Sequence, residues 1–528
     1  MKNIKIIAIT ISLSLMFCNC EELLEEEPFS VVAPSVIFGN PDNIEIAVAG
    51  IYNAMSQRGI DGNTFGNYAH GLIMMGMLGT DHVRSGNNLG NRFSQMDLFN
   101  YSATSQLPTH VWNLHYIGIN RANTVIVNTE PLLGTGLDDD RLNSLLGEAK
   151  FMRALMYLNL VRFYGDVPLK LTETNSLTAE DVIGIARTPS EQVYQQIADD
   201  LIFAAEHLPR QQELDGRVTS GAAYGLLAKT YVYWATAPLN DTSKWQLAAD
   251  AARQVIDSGQ YRLLDNFPDI FGWQNEGNDE IIFTVKYGSV EGQWGVLGGA
   301  GGFLGFSGAN FNSTGPVTGQ ATQVRQYAAE QYLWESWDPL DQRRDWTVPA
   351  ARINNAGDIV PLTADQSSDP NSFNFGLAKF RRDASWIRFQ SPIDVPILRY
   401  ADVLLLFAEA TANASGGATA ESYDAINQVR RRAYNQQPDP TAFDISGLGL
   451  SEFNEAVIEE RGRELVLECQ SRWHDLVRYG ILGERLEAVK RSQSLDNFDE
   501  SKHILFPIPL TELDVNPLIN EADQNPGY

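Results

Sequence analysis

The chain is poor in cysteine: three in 528 residues, Cys18, Cys20 and Cys469. Two lie at the start and one near the end, which excludes a disulfide framework and a thiolate metal knuckle. Positive charge is also scarce, with 39 Lys and Arg against 66 Asp and Glu and a formal net charge of −27. Such a surface repels phosphate backbones and anionic lipid, so nucleic acid and polybasic membrane docking are not expected. After the N-terminal segment no apolar run is long enough to span a bilayer. The seven histidines are scattered, without a His-Glu-x-x-His pair, and no Gly-x-Ser-x-Gly elbow occurs. The glycine run Gly298–Gly302 is not followed by Lys-Ser or Lys-Thr and lacks dinucleotide spacing. No metal or cofactor is therefore expected.

What is present is globular: 44% apolar and 10% aromatic residues, enough to bury a large core. Lys2 and Lys5 precede an apolar stretch, Ile6 through Phe17, too short to cross a membrane, so residues 1–19 read as a secretory signal. Helical periodicity dominates the rest. Apolar residues recur at helical steps over Ala47–Met55, Trp112–Val127 and Arg141–Tyr164, the last stopping at Gly165-Asp-Val-Pro168. Ser190–Leu208, with Ser190 as cap, Thr219–Ala235 and Lys244–Ser258 continue the series. Successive helices of about fifteen to twenty residues joined by short turns suggest helical hairpins. Glu280–Val285 reads as a short strand. Helix is expected again over Gln320–Trp337, Leu398–Thr411, Glu421–Ala433 and one long run, Ser451–Tyr479, whereas Ile353–Ala384 reads as loop. No linker separates independent domains.

The most specific patterns lie in the C-terminal half. Ile458-Glu-Glu-Arg-Gly-Arg-Glu-Leu-Val-Leu-Glu-Cys-Gln-Ser-Arg-Trp-His-Asp-Leu-Val-Arg-Tyr479 is followed by His503-Ile-Leu-Phe-Pro-Ile-Pro-Leu510 and Gln524-Asn-Pro-Gly-Tyr528. Upstream, Glu148-Ala-Lys-Phe-Met-Arg-Ala-Leu-Met-Tyr157 runs into Arg162-Phe-Tyr-Gly-Asp-Val-Pro-Leu169. Then come Arg399-Tyr-Ala-Asp-Val-Leu-Leu-Leu-Phe-Ala-Glu-Ala410 and Ile426-Asn-Gln-Val-Arg-Arg-Arg-Ala433. Taken in chain order, over roughly residues 20–528, they resemble the SusD/RagB family of nutrient-binding outer-membrane lipoproteins of Bacteroidota.

The resemblance implies a mostly α fold of tetratricopeptide-like helical hairpins, an α-α superhelix with long loops and a few short strands. It implies a division into a signal peptide at 1–19, an N-terminal SusD-like helical region at 20–270 and a C-terminal SusD/RagB region at 271–528. Cys20, followed by Glu-Glu-Leu-Leu-Glu-Glu-Glu-Pro28, is similar to the family's lipidated mature start, with Cys18 as the rival; the anchor would be lipid at the outer face of the outer membrane. The implied function is non-catalytic capture of an oligosaccharide for a SusC-like TonB-dependent transporter. Alternatives are a peptide-capturing, RagB-like member, a glycosidase and a purely protein-binding scaffold.

Two stretches carry the ingredients of a sugar site, aromatic faces beside polar side chains. One is Asp81-His-Val-Arg-Ser-Gly-Asn-Asn-Leu-Gly-Asn-Arg-Phe93, which offers Asp81, His82 and Arg84. The other holds Trp273 and Trp294 in and before a glycine-rich segment. Trp334 and Trp337 read as core. The carboxylate pair Glu464 and Glu468 could serve glycoside hydrolysis, but the Glu/Arg-rich run reads as an ion network that fixes the fold. Trp473 and His474 read with it, as packing and a satisfied hydrogen bond.

Overall fold

The computed structural model describes residues 37–56, 68, 71–85, 91–174, 184–287, 327–348, 351–353, 359–361, 375–380, 393–435, 442–468, 471–489 and 492–528. Helices dominate, each packed on its sequence neighbour. Helix α1 (Pro41–Ser56) and α2 (Gln106–Thr129) lie against α3 (Asp139–Tyr164). From there α4 (Ser190–His207), α5 (Ser220–Ala235), α6 (Lys244–Asp257), α7 (Tyr400–Ala414) and α8 (Ala420–Ala433) follow, each touching the one before. This is the helical-hairpin superhelix expected from the sequence, and a single continuous core runs through residues on both sides of position 270.

Local chemistry explains the clean ends. In α3 the Asp138 carboxylate accepts the Arg141 amide at 3.1 Å, and Asp139 and Asp140 meet the positive end of the helix dipole. Gly165 closes the helix at φ +72°, a conformation that penalises any side chain. Helix α5 is buried on nearly every side, and Gly225 sits where an added Cβ would come within 2.5 Å of Leu398 Cδ2. Small residues thus allow the close helix packing that a central position requires. Helix α4 begins one step differently from expectation. Pro189 is its cap, while Ser190 is the first helical residue and binds Asp166 through both N (2.7 Å) and Oγ (2.6 Å).

Strands are few. β1 (Val83–Ser85), β3 (Tyr327–Ala329) and β4 (Phe375–Gly376) form one antiparallel sheet in the order β1-β3-β4, and β2 (Ile281–Val285) pairs antiparallel with β5 (Val395–Arg399). β3 corrects the expected helix over Gln320–Trp337: only Gln331–Ser336 is helical among its described residues. Within the expected loop Ile353–Ala384, Ile353 ends a short strand paired with Ile359–Pro361.

The expected single helix Ser451–Tyr479 is two, α9 (Leu450–Glu464) and α10 (Ser471–Arg478). Buried cations take the carbonyls that would have continued α9. Lys379 Nζ donates to the Glu464 and Val466 carbonyls at 2.7 and 3.0 Å, Arg399 Nη2 donates to Glu464 O at 3.1 Å, and Leu467 turns at φ +62°. The C-terminal residues return to the N-terminal half. Phe506 N donates to Phe163 O at 2.8 Å, and Asn525 Nδ2 donates to Tyr164 O at 2.9 Å. A last short helix, α11 (Leu510–Val515), is tied at its start by Leu510 N to Ala103 O at 2.9 Å. Among the described residues no helix is long and apolar enough to cross a membrane.

Candidate ligand-binding site

The turn before β1 holds three of the residues that the sequence offers as ligand contacts. Asp81 is fully buried, and its carboxylate accepts from Arg472 Nε at 2.8 Å. Burial pushes this carboxyl up, and the Arg472 charge more than offsets it, so Asp81 ionises below the usual range. His82 is also fully buried, its carbonyl accepting from Glu330 N at 2.9 Å and its ring 6.4 Å from that of Tyr332. Burial, with the Arg472 charge, lowers its pKa to about 3. Arg84 is 7% exposed, in the middle of β1 opposite Ala328. The expectation of ligand contact is therefore corrected for this group. These side chains lack the surface to meet a ligand, and Asp81 and His82 join the β1 turn to the C-terminal half.

Trp273 opens a short 3₁₀ turn, Trp273–Asn275. Its side chain, all of Trp294 and the Cys20 segment lie outside the described residues. Trp337 is buried as expected and Trp334 is half-buried, with the Arg344 guanidinium 5.2 Å from its ring centre.

The Glu/Arg-rich run forms the ion network that its composition suggests. Glu464 accepts from Arg432 (2.5 Å), Arg343 (2.9 Å) and Arg399 (3.0 Å). Glu468 is held by Arg399 and Lys379, Glu460 by Arg343 and Arg430, and Glu280 by Arg399 and Arg432. Burial raises the Glu464 carboxyl, and the three arginines reverse that and hold it well below the ordinary value. Lys379, deeply buried, falls to about 8. A second set joins Arg461 to Asp402 and Asp475, Lys229 to Asp402, and Arg478 to Asp475 and Glu409. Carboxylates so enclosed and saturated with cations cannot flank a glycosidic bond, so Glu464 and Glu468 are not an acid/base pair. Trp473 packs 5.5 Å from Phe506, and His474 lies 4.4 Å from Phe163. Trp473 Nε1 and His474 Nε2 have no hydrogen-bond partner among the described residues.

Among the described residues, two open clefts are large enough for a small ligand. The first, of about 340 Å³, lies between α1 and β2 and is lined by Tyr52, Asn53, Asp215, Arg217 and Lys286. Helix α1 runs from it into residues 57–67, and β2 runs into the segment that carries Trp294. It is therefore one described surface that adjoins the aromatic stretch along the chain. Its charges are already engaged. Arg217 binds Glu148 and Glu45, Lys286 binds Asp215 at 2.7 Å and Asp394 at 2.5 Å, and Tyr52 donates to Glu148 at 2.6 Å. Nothing local marks these residues in the sequence, because Glu45 and Arg217 are 172 positions apart. The second cleft, of about 360 Å³, lies between the start of α2 and α11.

Comparison with known proteins agrees with this architecture. The SusD family profile matches residues 298–528, and a second SusD-like profile, described as starch-binding associating with outer membrane, matches residues 67–232. A SusD-like protein of Formosa agariphila is 27% identical over 97% of both chains. The starch-binding protein SusD of Bacteroides thetaiotaomicron is 23% identical over 82% of this chain and 81% of its own. A crystal structure of a SusD homologue from Bacteroides thetaiotaomicron superposes with a TM-score of 0.80 at 27% identity, covering 94% of this chain and 98% of that one. The motifs, the helical superhelix and these full-length similarities agree: the chain belongs to the SusD/RagB family.

Proposed function

We propose that this protein captures an oligosaccharide without cleaving it and passes it to a SusC-like TonB-dependent transporter. A lipid on Cys20 would hold it at the outer surface of the outer membrane. The observation that carries this reading is the similarity to a starch-binding protein over 82% of this chain and 81% of that one, together with the matching starch-binding, outer-membrane-associating profile. The ion networks support the non-catalytic part, since the paired carboxylates most like a glycosidase dyad are spent on structure. Trp273 and Trp294 are the proposed stacking contacts. A well-placed aromatic face contributes roughly 1 kcal/mol, so capture rests on several modest contacts, which also suits release into a transporter.

The test is migration of the full chain in native gels loaded with starch, laminarin, xylan or mannan, with reducing ends assayed in parallel. Retardation by at least one glycan with no new reducing ends is expected, and Trp294→Ala should weaken binding roughly fivefold to tenfold. Release of reducing ends would overturn the non-catalytic claim. Silence on every glycan with calorimetric heat from basic oligopeptides would replace the cargo with peptide.

A further inference from the structure

The cleft between α2 and α11 differs from the one beside β2 in a way that bears on ligands. Thr104 and Thr109 of its lining bond within the chain, but among the described residues four other polar side chains there do not. Gln106 and Asn113 lie seven residues apart, on one face of α2, and Thr511 and Asp514 are one turn apart on α11. Among the described residues none of these four side chains has a hydrogen-bond partner in the protein. In the β2 cleft, by contrast, Arg217, Lys286 and Tyr52 are all engaged internally. Among the described residues no lysine or arginine lines the α2–α11 cleft, and Asp514 is its one carboxylate, so an anionic ligand would find no permanent countercharge.

Apolar surface is present as well: Leu510 is 38% exposed at the rim, and Leu114 forms part of the floor. The walls are held apart by a fixed frame. Leu510 N donates to Ala103 O, and Asn516 Nδ2 donates to Ile185 O at 3.1 Å, so α11 is tied on both sides. An aliphatic patch beside two amides, a hydroxyl and one carboxylate matches a neutral polyol. Side-chain amides donate and accept at once, as vicinal hydroxyls do, and a carboxylate accepts from a pair of them.

We infer that this cleft is a second carbohydrate subsite, for one or two neutral sugar units of the captured chain. This rests on the glycan reading above. Two weak contacts on one oligosaccharide, or on neighbouring stretches of one polysaccharide, raise the effective concentration at each and lengthen residence without a tight site.

Hydroxyl-radical footprinting of the full chain tests it, with maltoheptaose, laminariheptaose, xyloheptaose and mannoheptaose as probes. At least one probe that binds should protect Leu510 and His110. That protection should persist in Trp294→Ala. It should disappear in Gln106→Ala/Asn113→Ala/Asp514→Ala, where affinity at this cleft falls by roughly fiftyfold or more for two neutral and one charged hydrogen bond lost. The substituted side chains line an open cleft and hold no other part of the fold, so the variant's melting temperature should match the parent's. If every probe that binds leaves Leu510 and His110 unprotected, this inference alone is overturned, whereas absence of binding by every probe overturns it together with the glycan reading.

Discussion

Four buried histidines, His82, His115, His474 and His503, are held neutral by burial, His503 falling to about 4. The pKa of His82 falls to about 3 and that of His115 to about 4, and His474 also lies well below its ordinary value. Around His82 the arginines Arg472, Arg463 and Arg485 outweigh the opposing Asp81. A depressed folded-state pKa means that the unfolded chain binds more protons below about 6.5. The stabilisation is therefore complete above that pH and is lost as pH falls towards 4. Each histidine contributes up to about 1.4 kcal/mol per pH unit. Three carboxyls act the other way: desolvation and the nearby Asp394 raise Glu276 to about 7, and desolvation raises Glu148 and Asp394, so each gains a proton in the folded state first. The four histidines outweigh the three carboxyls, and the urea midpoint should fall between pH 7 and pH 5. A flat profile would contradict the neutral burial of the histidines. At this scale the sequence is least legible. Asp81, His82 and Arg84 sit in a stretch rich in Asn and Gly that reads as a ligand loop, and Arg472, the partner of Asp81, lies 391 residues away.

Helices show how local pattern and long-range packing divide the work. Expected and observed bounds of α3 differ by two residues at the start and none at the end, because the Asp138 cap and Gly165 stop are written locally. Helix α9 ends early for a reason no local rule contains, since Lys379 and Arg399 capture its last carbonyls. Glycines inside helices separate the same two effects. Gly50 in α1 has nothing within 4 Å of an added Cβ, while at Gly462 in α9 that atom would fall 2.6 Å from His82 Cε1 and 2.7 Å from Arg472 Nη1. Gly50→Ala should raise stability by up to about 1 kcal/mol through helix propensity. Gly462→Ala should lower it by roughly 1–3 kcal/mol, by pressing on the buried Arg472–Asp81 pair. Urea denaturation of both variants checks the opposite signs, and equal effects would mean that α9 packs more loosely there than described.

The whole molecule is closed by its C-terminal residues. Phe506, 1% exposed, packs against Tyr101, Phe163 and Trp473, joining the end of the chain to residues near position 100 and to α3 and α10. Phe506→Ala should cost about 3–5 kcal/mol. Because these elements share one core, thermal unfolding should remain a single transition at lower temperature. A separate early transition would show that the C-terminal residues are an appendage. Family membership was legible in the sequence, as was the succession of helices, since motif order, apolar periodicity and helix caps are properties of neighbouring residues. The Glu/Arg-rich run was legible as an ion network too, because its many charges demand partners wherever it is buried. Tertiary structure alone decided which partners they take, why α9 and α10 are two helices, that the Asp81 turn is interior, and which polar side chains meet across the α2–α11 cleft. Burial and ion pairing depend on residues hundreds of positions apart, and no local pattern specifies that proximity.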